Sequence, residues 1–284
     1  MSIFDKKKFN LYLIFILLLS LLVGFYFNED STGGAKADYV HQKKISTEFS
    51  NNFKDNLLNY DKNQITSRHS PIIPIYFSIY EKFKINDNFI RIIHLPISLI
   101  IMFFFYLCLK KKYLSINKFI LISFASLVLL SPTIRSLSIW PDSRIYGLIF
   151  FIISIFCYLN FIEENSKNKK NLFLLGNIFS LVIASYISPN FCLFSIWYLF
   201  MFYKHKVNIL YILIINFILA IPAIYYVFFL KIYFFTMPAI AGIDLITRIN
   251  PVNKIILISS IIFFHLIPLA IAQHKLIINA IKNI

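Results

Sequence analysis

Residues 9–27, FNLYLIFILLLSLLVGFYF, and the polar residues 28–41 that follow them, NEDSTGGAKADYVH, set the organisation of this chain. The first stretch is close to the ~20 apolar residues that a helix needs to cross a bilayer. It follows Lys6-Lys7-Lys8, and basic residues are typical of the cytoplasmic end of a first span. The pattern predicts an N-terminal anchor that starts in the cytoplasm, so that residues 28–41 emerge on the exterior face.

A cleaved signal peptide is the alternative interpretation of this N-terminus. The A-x-A site nearest to the N-terminus, Ala35-Lys36-Ala37, lies beyond the apolar run, with residues 28–34 between them. The aromatic residues 25–27 also make a poor cleavage region. We therefore favour an uncleaved anchor.

Apolar sequence continues along the whole chain. Of the 284 residues, 58% are hydrophobic and 14% charged, whereas a soluble domain has about 25% charged residues. The sequence predicts an all-α fold, a polytopic transmembrane helix bundle of about eight spans that forms a single membrane domain over residues 1–284. After the first span, the predicted spans are 89–108, 117–136, 145–162, 172–188, 191–203, 208–230 and 255–273.

The net charge of +15 does not indicate nucleic-acid binding, because the lysines concentrate in short loops between apolar segments. These loops predict a multi-pass protein of the inner (plasma) membrane with both termini in the cytoplasm. On this topology all five arginines and ten of the thirteen acidic residues face the exterior. Chemistry is therefore expected on the exterior, or periplasmic, face. The cytoplasmic lysines are Lys110 to Lys112, Lys118, Lys167, Lys169, Lys170, Lys204 and Lys206.

Residues 28–88 form the predicted exterior loop. Within it, apolar residues recur every four positions, which predicts an amphipathic helix lying in the membrane interface, with Asp38 as its N-cap. These residues are Ile45, Phe49, Phe53 and Leu57. A second short apolar piece, 71–80, follows Arg68, His69 and Ser70.

Acidic residues stand at the exterior end of the first span. Glu29 and Asp30 follow it directly, and Asp38 and His41 lie shortly downstream. A carboxylate held at the membrane surface can act as a general base toward a hydroxyl group. The alternative is an ordinary solvated loop.

Basic residues reach the same face from two other segments. Arg68 and His69 can bind phosphate or sugar oxygens, or they can begin a helix above anionic lipid. Arg135, Asp142 and Arg144 lie in the turn between the third and fourth spans. Paired arginines suit a departing phosphate, although an Arg–Asp pair that caps a helical hairpin explains them equally well.

This pattern resembles the GT-C class of membrane glycosyltransferases, which includes protein O-mannosyltransferases and the transferase that adds aminoarabinose to lipid A. Asp30, with Glu29, matches the acidic position after the first span of that class. Residues 68–71 are similar to the piece before its second span, and residues 144–146 match an arginine and a tyrosine that begin its fourth span. The resemblance covers roughly residues 1–230. Typical members are longer, so the resemblance is to a truncated form.

The resemblance implies an inverting glycosyltransferase. Its donor would be a sugar on a polyprenyl-phosphate carrier, and its acceptor a hydroxyl group of a lipid, glycan or protein at the exterior face. Asp30 would be the catalytic base, with Glu29 as its rival, and Asp38 and Asp142 would orient the acceptor or a divalent metal. The donor phosphate would be bound by Arg144, Arg135, His69 and Arg68.

Two other functions remain open. A flippase or transporter of a lipid-linked sugar would place polar groups near the bilayer midplane, often on broken helices. The ionisable groups here crowd one face instead, although Pro222 and the residues 265–268 leave room for transport. The short length also suits a non-catalytic subunit of a cell-envelope glycan assembly.

Overall fold

The structure, a computed structural model, describes residues 3–31, 34–59 and 70–229. Within these ranges the chain is helical with no β-strand, which confirms the prediction of an all-α fold. All of these residues belong to one compact unit. The predicted site residues Arg68 and His69 and the predicted span 255–273 lie outside the described residues, so a single domain over 1–284 stays a prediction.

Twelve α-helices occupy the described ranges, and we number them in chain order. They are α1 Ile3–Tyr26, α2 Ala35–Asn51, α3 Phe53–Leu58, α4 Ile72–Lys82, α5 Asp87–His94, α6 Ile97–Lys112, α7 Lys118–Ser126, α8 Pro132–Ile139, α9 Ser143–Glu163, α10 Lys167–Ile187, α11 Phe194–Lys204 and α12 Ile209–Ile224. Short 3₁₀ segments cover Leu127–Leu130 and Pro189–Leu193, and a π-helical segment covers Tyr225–Phe229.

Short polar side chains begin many of these helices. Each one accepts a hydrogen bond from a backbone N–H of the first turn, which would otherwise have no partner within the helix. Asn86 begins α5, Asp142 begins α9 and Asn208 begins α12 in this way. The loops between apolar segments therefore fix where each helix starts.

Three helical segments are long and apolar enough to cross a membrane. They are α5 with α6, which run together over Asp87–Lys112, and the helices α9 and α10. A fourth candidate is Lys118–Leu130 with Pro132–Ile139, a pair that is bent by 71°. These helices are compatible with a membrane protein, whereas the full number of about eight spans stays a prediction.

Four of the predicted spans differ from the observed helices. The first span and the span 208–230 correspond to shorter apolar helical stretches, Leu11–Tyr26 and Ile209–Ile224. The segment 117–136 is broken at Pro132, which has no N–H to continue a helix, and Ser131 caps the new helix α8. The segment 191–203 contains a 3₁₀ turn followed by α11, which has 11 residues. At ~1.5 Å per residue α11 is too short to cross a ~30 Å hydrocarbon core alone.

The predicted amphipathic helix of the exterior loop is divided in two. Ile45 and Phe49 are buried on α2, which packs along α4. Phe53 is exposed, because α2 ends at Asn51 and α3 begins a new helix. The prediction of Asp38 as the N-cap is wrong, since α2 starts at Ala35 and Asp38 lies within its first turn. The location of these helices in a membrane interface stays a prediction.

Helix α12 is interrupted by a side chain of α10. The hydroxyl of Tyr186 donates to the carbonyl of Leu219 at 2.6 Å and accepts from the N–H of Ala223 at 3.1 Å. These two backbone groups would bond directly to each other in an uninterrupted helix. The insertion lies beside Pro222, which cannot donate a hydrogen bond of its own.

Helix α9 packs along both α10 and α6. The amide of Asn177 on α10 donates to the carbonyl of Ser154 on α9 at 2.8 Å. Near the start of α9, a β-carbon added to Gly147 would lie 3.1 Å from the ring of Phe191 and 3.2 Å from the β-carbon of Ser188. Small residues allow this close approach between membrane helices.

Replacing Gly147 by Leu should destabilise the bundle, because the new side chain meets Phe191 and Ser188 at once. Overpacking of this kind costs about 1–3 kcal/mol. Thermal unfolding in detergent measures the loss. Gly34→Ala is the control, since an added β-carbon there has no neighbour within 4 Å. Equal melting temperatures for Gly147→Leu and the wild type would contradict this packing.

Candidate active site

Six of the eight site residues predicted from the sequence are described, and they come from three segments. Glu29 and Asp30 follow the end of α1, and Asp38 lies in α2. Arg135 lies in α8, Asp142 lies between α8 and α9, and Arg144 lies at the start of α9. Hydrogen bonds and ion pairs connect all three segments at one end of the bundle. We call this group the exit cluster.

Arg135 joins α8 to the end of α1. Its Nε donates to Oε1 of Glu29 at 2.8 Å and its Nη2 donates to Oε2, so that the pair is bidentate. The same guanidinium donates from Nη1 to the hydroxyl and from Nη2 to the carbonyl of Ser20, both at 3.0 Å. Bidentate pairs of this kind fix geometry as well as adding energy.

Two further contacts hold the exit of α1. The indole Nε1 of Trp140 donates to the carbonyl of Glu29 at 3.1 Å. The hydroxyl of Ser31 lies 3.0 Å from both the carbonyl of Pro132 and the hydroxyl of Ser136. The position of Glu29 is therefore set from both its side chain and its backbone.

Asp30 binds the N-terminus of α2. Its Oδ1 accepts from the N–H groups of Gly34 at 3.2 Å and Ala35 at 3.0 Å, and its Oδ2 accepts from that of Lys36 at 3.3 Å. A carboxylate at this position satisfies unpaired N–H groups and complements the helix dipole. The predicted catalytic base thus has a structural role that the sequence interpretation missed.

Arg144 is shared by two carboxylates. Its Nε donates to Oδ1 of Asp142 at 2.9 Å, its Nη2 donates to Oδ2 of Asp142 at 3.0 Å, and Nη2 also donates to Asp38. Asp142 is buried and caps α9 by accepting from the backbone N–H of Arg144 at 2.7 Å. Gln42 of α2 reaches the same carboxylate at 3.5 Å.

Exposure divides the exit cluster into an inner and an outer part. The side chain of Asp142 is 2% exposed, whereas those of Arg144 and Asp38 are 38% and 50% exposed. The outer pair is therefore the part that a ligand from solvent meets first. Within the described ranges, no group of three or more His, Cys, Asp or Glu residues is placed to hold a metal ion, and the predicted metal role of Asp38 and Asp142 has no further support.

Arg91 is a residue that the sequence interpretation did not select. It is 6% exposed, and its guanidinium lies 3.9 Å from the ring centre of Trp140 and 4.8 Å from that of Phe25. The signal was present, because an arginine among the apolar residues of α5 is costly and points to a function. His94, one turn further on, bonds to the hydroxyl of Tyr146 and the carbonyl of Leu137 within the bundle.

Comparison with family models, with curated proteins and with solved structures found no match for this chain. The resemblance to GT-C glycosyltransferases therefore continues to rest on the residues themselves. One of its positions agrees with the helix boundaries, since Arg144 and Tyr146 lie in the first turn of α9.

The Glu29–Arg135 pair should make the free energy of unfolding depend on pH in the acidic range. The hydrogen bond from Arg135 lowers the pKa of Glu29 below its ordinary value of 4.5, against the opposing effect of burial. The stabilisation is complete above pH 4.5 and is lost as the pH falls through the lowered pKa. The difference in melting temperature between the wild type and Glu29→Gln should be constant near neutral pH and should narrow below 4.5.

Glu48→Gln provides the control for this comparison, because Glu48 is an exposed acid of α2 without an ion pair among the described residues. Its melting temperature should follow that of the wild type at every pH. A difference for Glu29→Gln that stays unchanged down to about pH 3 would exclude a lowered pKa at this position.

Proposed function

We propose that this protein is an inverting glycosyltransferase that moves a sugar from a polyprenyl-phosphate carrier to an acceptor hydroxyl group at the exterior membrane face. The observation that supports it most is the exit cluster. Carboxylates bonded to arginines 106 residues further along the chain lie together at the end of α1. General-base attack and phosphate departure need these two kinds of group in one place.

The reaction joins the acceptor oxygen to the anomeric carbon of the donor sugar. Asp30 takes the proton of the acceptor hydroxyl, and the bond between the anomeric carbon and the phosphate oxygen breaks with inversion. The carrier leaves as a phosphate monoester anion, whose added negative charge the arginines stabilise. Arg144 is the better placed of the two arginines, because it is more exposed than Arg135.

The proposal also includes a topology. The chain would cross the inner membrane about eight times with both termini in the cytoplasm, and the helices α2 to α4 would lie along the exterior surface. The three apolar segments Asp87–Lys112, α9 and α10 support this topology in part. The buried face of α2 packs on α4, and its opposite face is largely polar and exposed.

Transport of a lipid-linked sugar is the second candidate. A cavity of about 320 Å³ lies between α10, α11 and α12, beside the Tyr186 insertion. Ser185, Ser195 and Asn216 contribute polar groups to its otherwise apolar wall. Discontinuous helices beside a substrate cavity are typical of transporter binding sites.

Two substitutions separate the proposed catalytic role of Asp30 from its structural role at the N-terminus of α2. Asp30→Asn keeps an oxygen that can accept from the N–H groups of α2 but removes the carboxylate base. We expect it to abolish sugar transfer with little loss of thermal stability. Asp30→Ala removes both functions and should also lose about 0.5–2 kcal/mol, the usual cost of removing a cap. The measurements are transfer of a labelled sugar and thermal unfolding.

Full transfer activity in Asp30→Asn would exclude Asp30 as the base. Glu29→Gln in the same assay tests its rival. Flux of a labelled lipid-linked sugar across liposomes, with no incorporation into an acceptor, would favour the transporter. Turnover only after a partner protein is added would favour the non-catalytic subunit.

A further inference from the structure

A buried guanidinium without a bonded counter-ion is the feature that the proposed mechanism does not use. The Nη2 of Arg91 is buried and has no hydrogen-bond partner among the described residues. A charge removed from water is costly unless it is paired and hydrogen-bonded. The contacts around Arg91 define the kind of partner that would complete it.

The nearest acidic residue on the same helix is bonded elsewhere. Asp87 lies one turn before Arg91 on α5, and its Oδ1 accepts from Lys43 and, at 3.3 Å, from the hydroxyl of Tyr39. The Nε of Arg91 donates to the backbone carbonyl of Ile139 at 3.2 Å, which satisfies a donor but neutralises no charge.

Aromatic rings restrict the direction from which a partner can reach Arg91. The rings of Phe25 and Trp140 lie 4.8 Å and 3.9 Å from its guanidinium carbon and stabilise the cation through their π faces. Nη2 is buried and is a donor of this guanidinium that has no hydrogen-bond partner among the described residues. A guanidinium edge that is fixed in orientation suits the oxygens of a phosphate group.

A second cation lies beside the same tryptophan. The Nζ of Lys36 is 5.4 Å from the ring centre of Trp140, and Lys36 makes no ion pair within the described ranges. It is exposed, unlike Arg91. Arg91 and Lys36 thus provide a buried cation of fixed orientation and a solvent-facing cation on one aromatic ring.

We propose that Arg91, Lys36 and Trp140 form a binding site for the phosphate group of a phosphate monoester or diester. The ligand oxygens accept from Nη2 of Arg91, and Lys36 supplies the second positive charge from the solvent side. This assignment deepens the proposed function, on which it rests for the identity of the carrier. It adds Arg91 to the cationic groups of the proposed mechanism, because Arg135 and Arg144 are each bonded to carboxylates whereas Nη2 of Arg91 has no bonded partner among the described residues.

The fluorescence of Trp140 provides a direct measurement. The chain has two tryptophans, and Trp197 lies on α11, so Trp197→Phe leaves Trp140 as the single reporter. The full-length Trp197→Phe protein in detergent is titrated with farnesyl phosphate, with farnesol and with inorganic phosphate. We expect a saturable change with farnesyl phosphate and none with farnesol. Saturation by inorganic phosphate at the same concentrations would show that the site takes free phosphate and needs no lipid.

Variants in the same background test the two cations. Lys36→Gln, an exposed change, and Arg91→Lys, which keeps the charge but loses the planar fork, should each weaken binding about tenfold or more. Lys44→Gln, an exposed lysine of the same helix, should leave binding unchanged. Unchanged affinity in both Lys36→Gln and Arg91→Lys, or the absence of a saturable change with either phosphate ligand, would overturn the proposal.

The outcome is independent of sugar transfer. Phosphate binding that depends on Arg91 and Lys36, in a protein that transfers no sugar, would contradict the proposed glycosyltransferase activity but support the phosphate site. Sugar transfer that proceeds unchanged in Lys36→Gln and Arg91→Lys, with no phosphate binding at Trp140, would support the glycosyltransferase activity and exclude the phosphate site.

Discussion

The pair between Glu29 and Arg135 is the interaction on which the arrangement of the exit cluster depends. It fastens the end of α1 to α8, and Asp30 follows in sequence at the N-terminus of α2. Helix α2 then carries Asp38 and Gln42 to the start of α9, where Arg144 and Asp142 meet them. The bidentate contact, together with the bonds of Trp140 and Ser31, therefore fixes the end of α1, from which the chain continues to α2 and the outer part of the exit cluster.

The sequence was sufficient to predict the all-α class, the apolar helices and the position of Arg144 at the start of α9, because these depend on local composition and caps. It could not show that Arg135 bonds to Glu29, since the two are separated by 106 residues. The contact of Asp30 with α2 was missed for another reason. An N-cap normally stands directly before its helix, whereas Asp30 precedes Gly34 by four residues.

Charge compensation in the exit cluster constrains how any ligand binds there. Glu29, Asp38 and Asp142 are each bonded to an arginine, so an anionic ligand must exchange partners with a carboxylate. Exchange is least costly at the exposed Arg144–Asp38 pair, because exposed ion pairs contribute only about 0–1 kcal/mol. It is most costly at the mostly buried Arg135, where removing one partner leaves the other charge without compensation. The same reasoning distinguishes Arg91, whose Nη2 has no partner to displace among the described residues.

The separation of Glu29 from Arg135 also has a consequence for biosynthesis. Ribosomes add about 5–20 residues per second, so roughly 5–20 s pass between the synthesis of the acid and that of its partner. On the proposed membrane topology, the nascent α1 would have to remain in the bilayer without α8 during this interval, and Glu29 would be solvated by water at the surface. Residues 11–27, which include no charged side chain, would meet that requirement, and Arg135 would then fix the orientation of a helix that is already inserted.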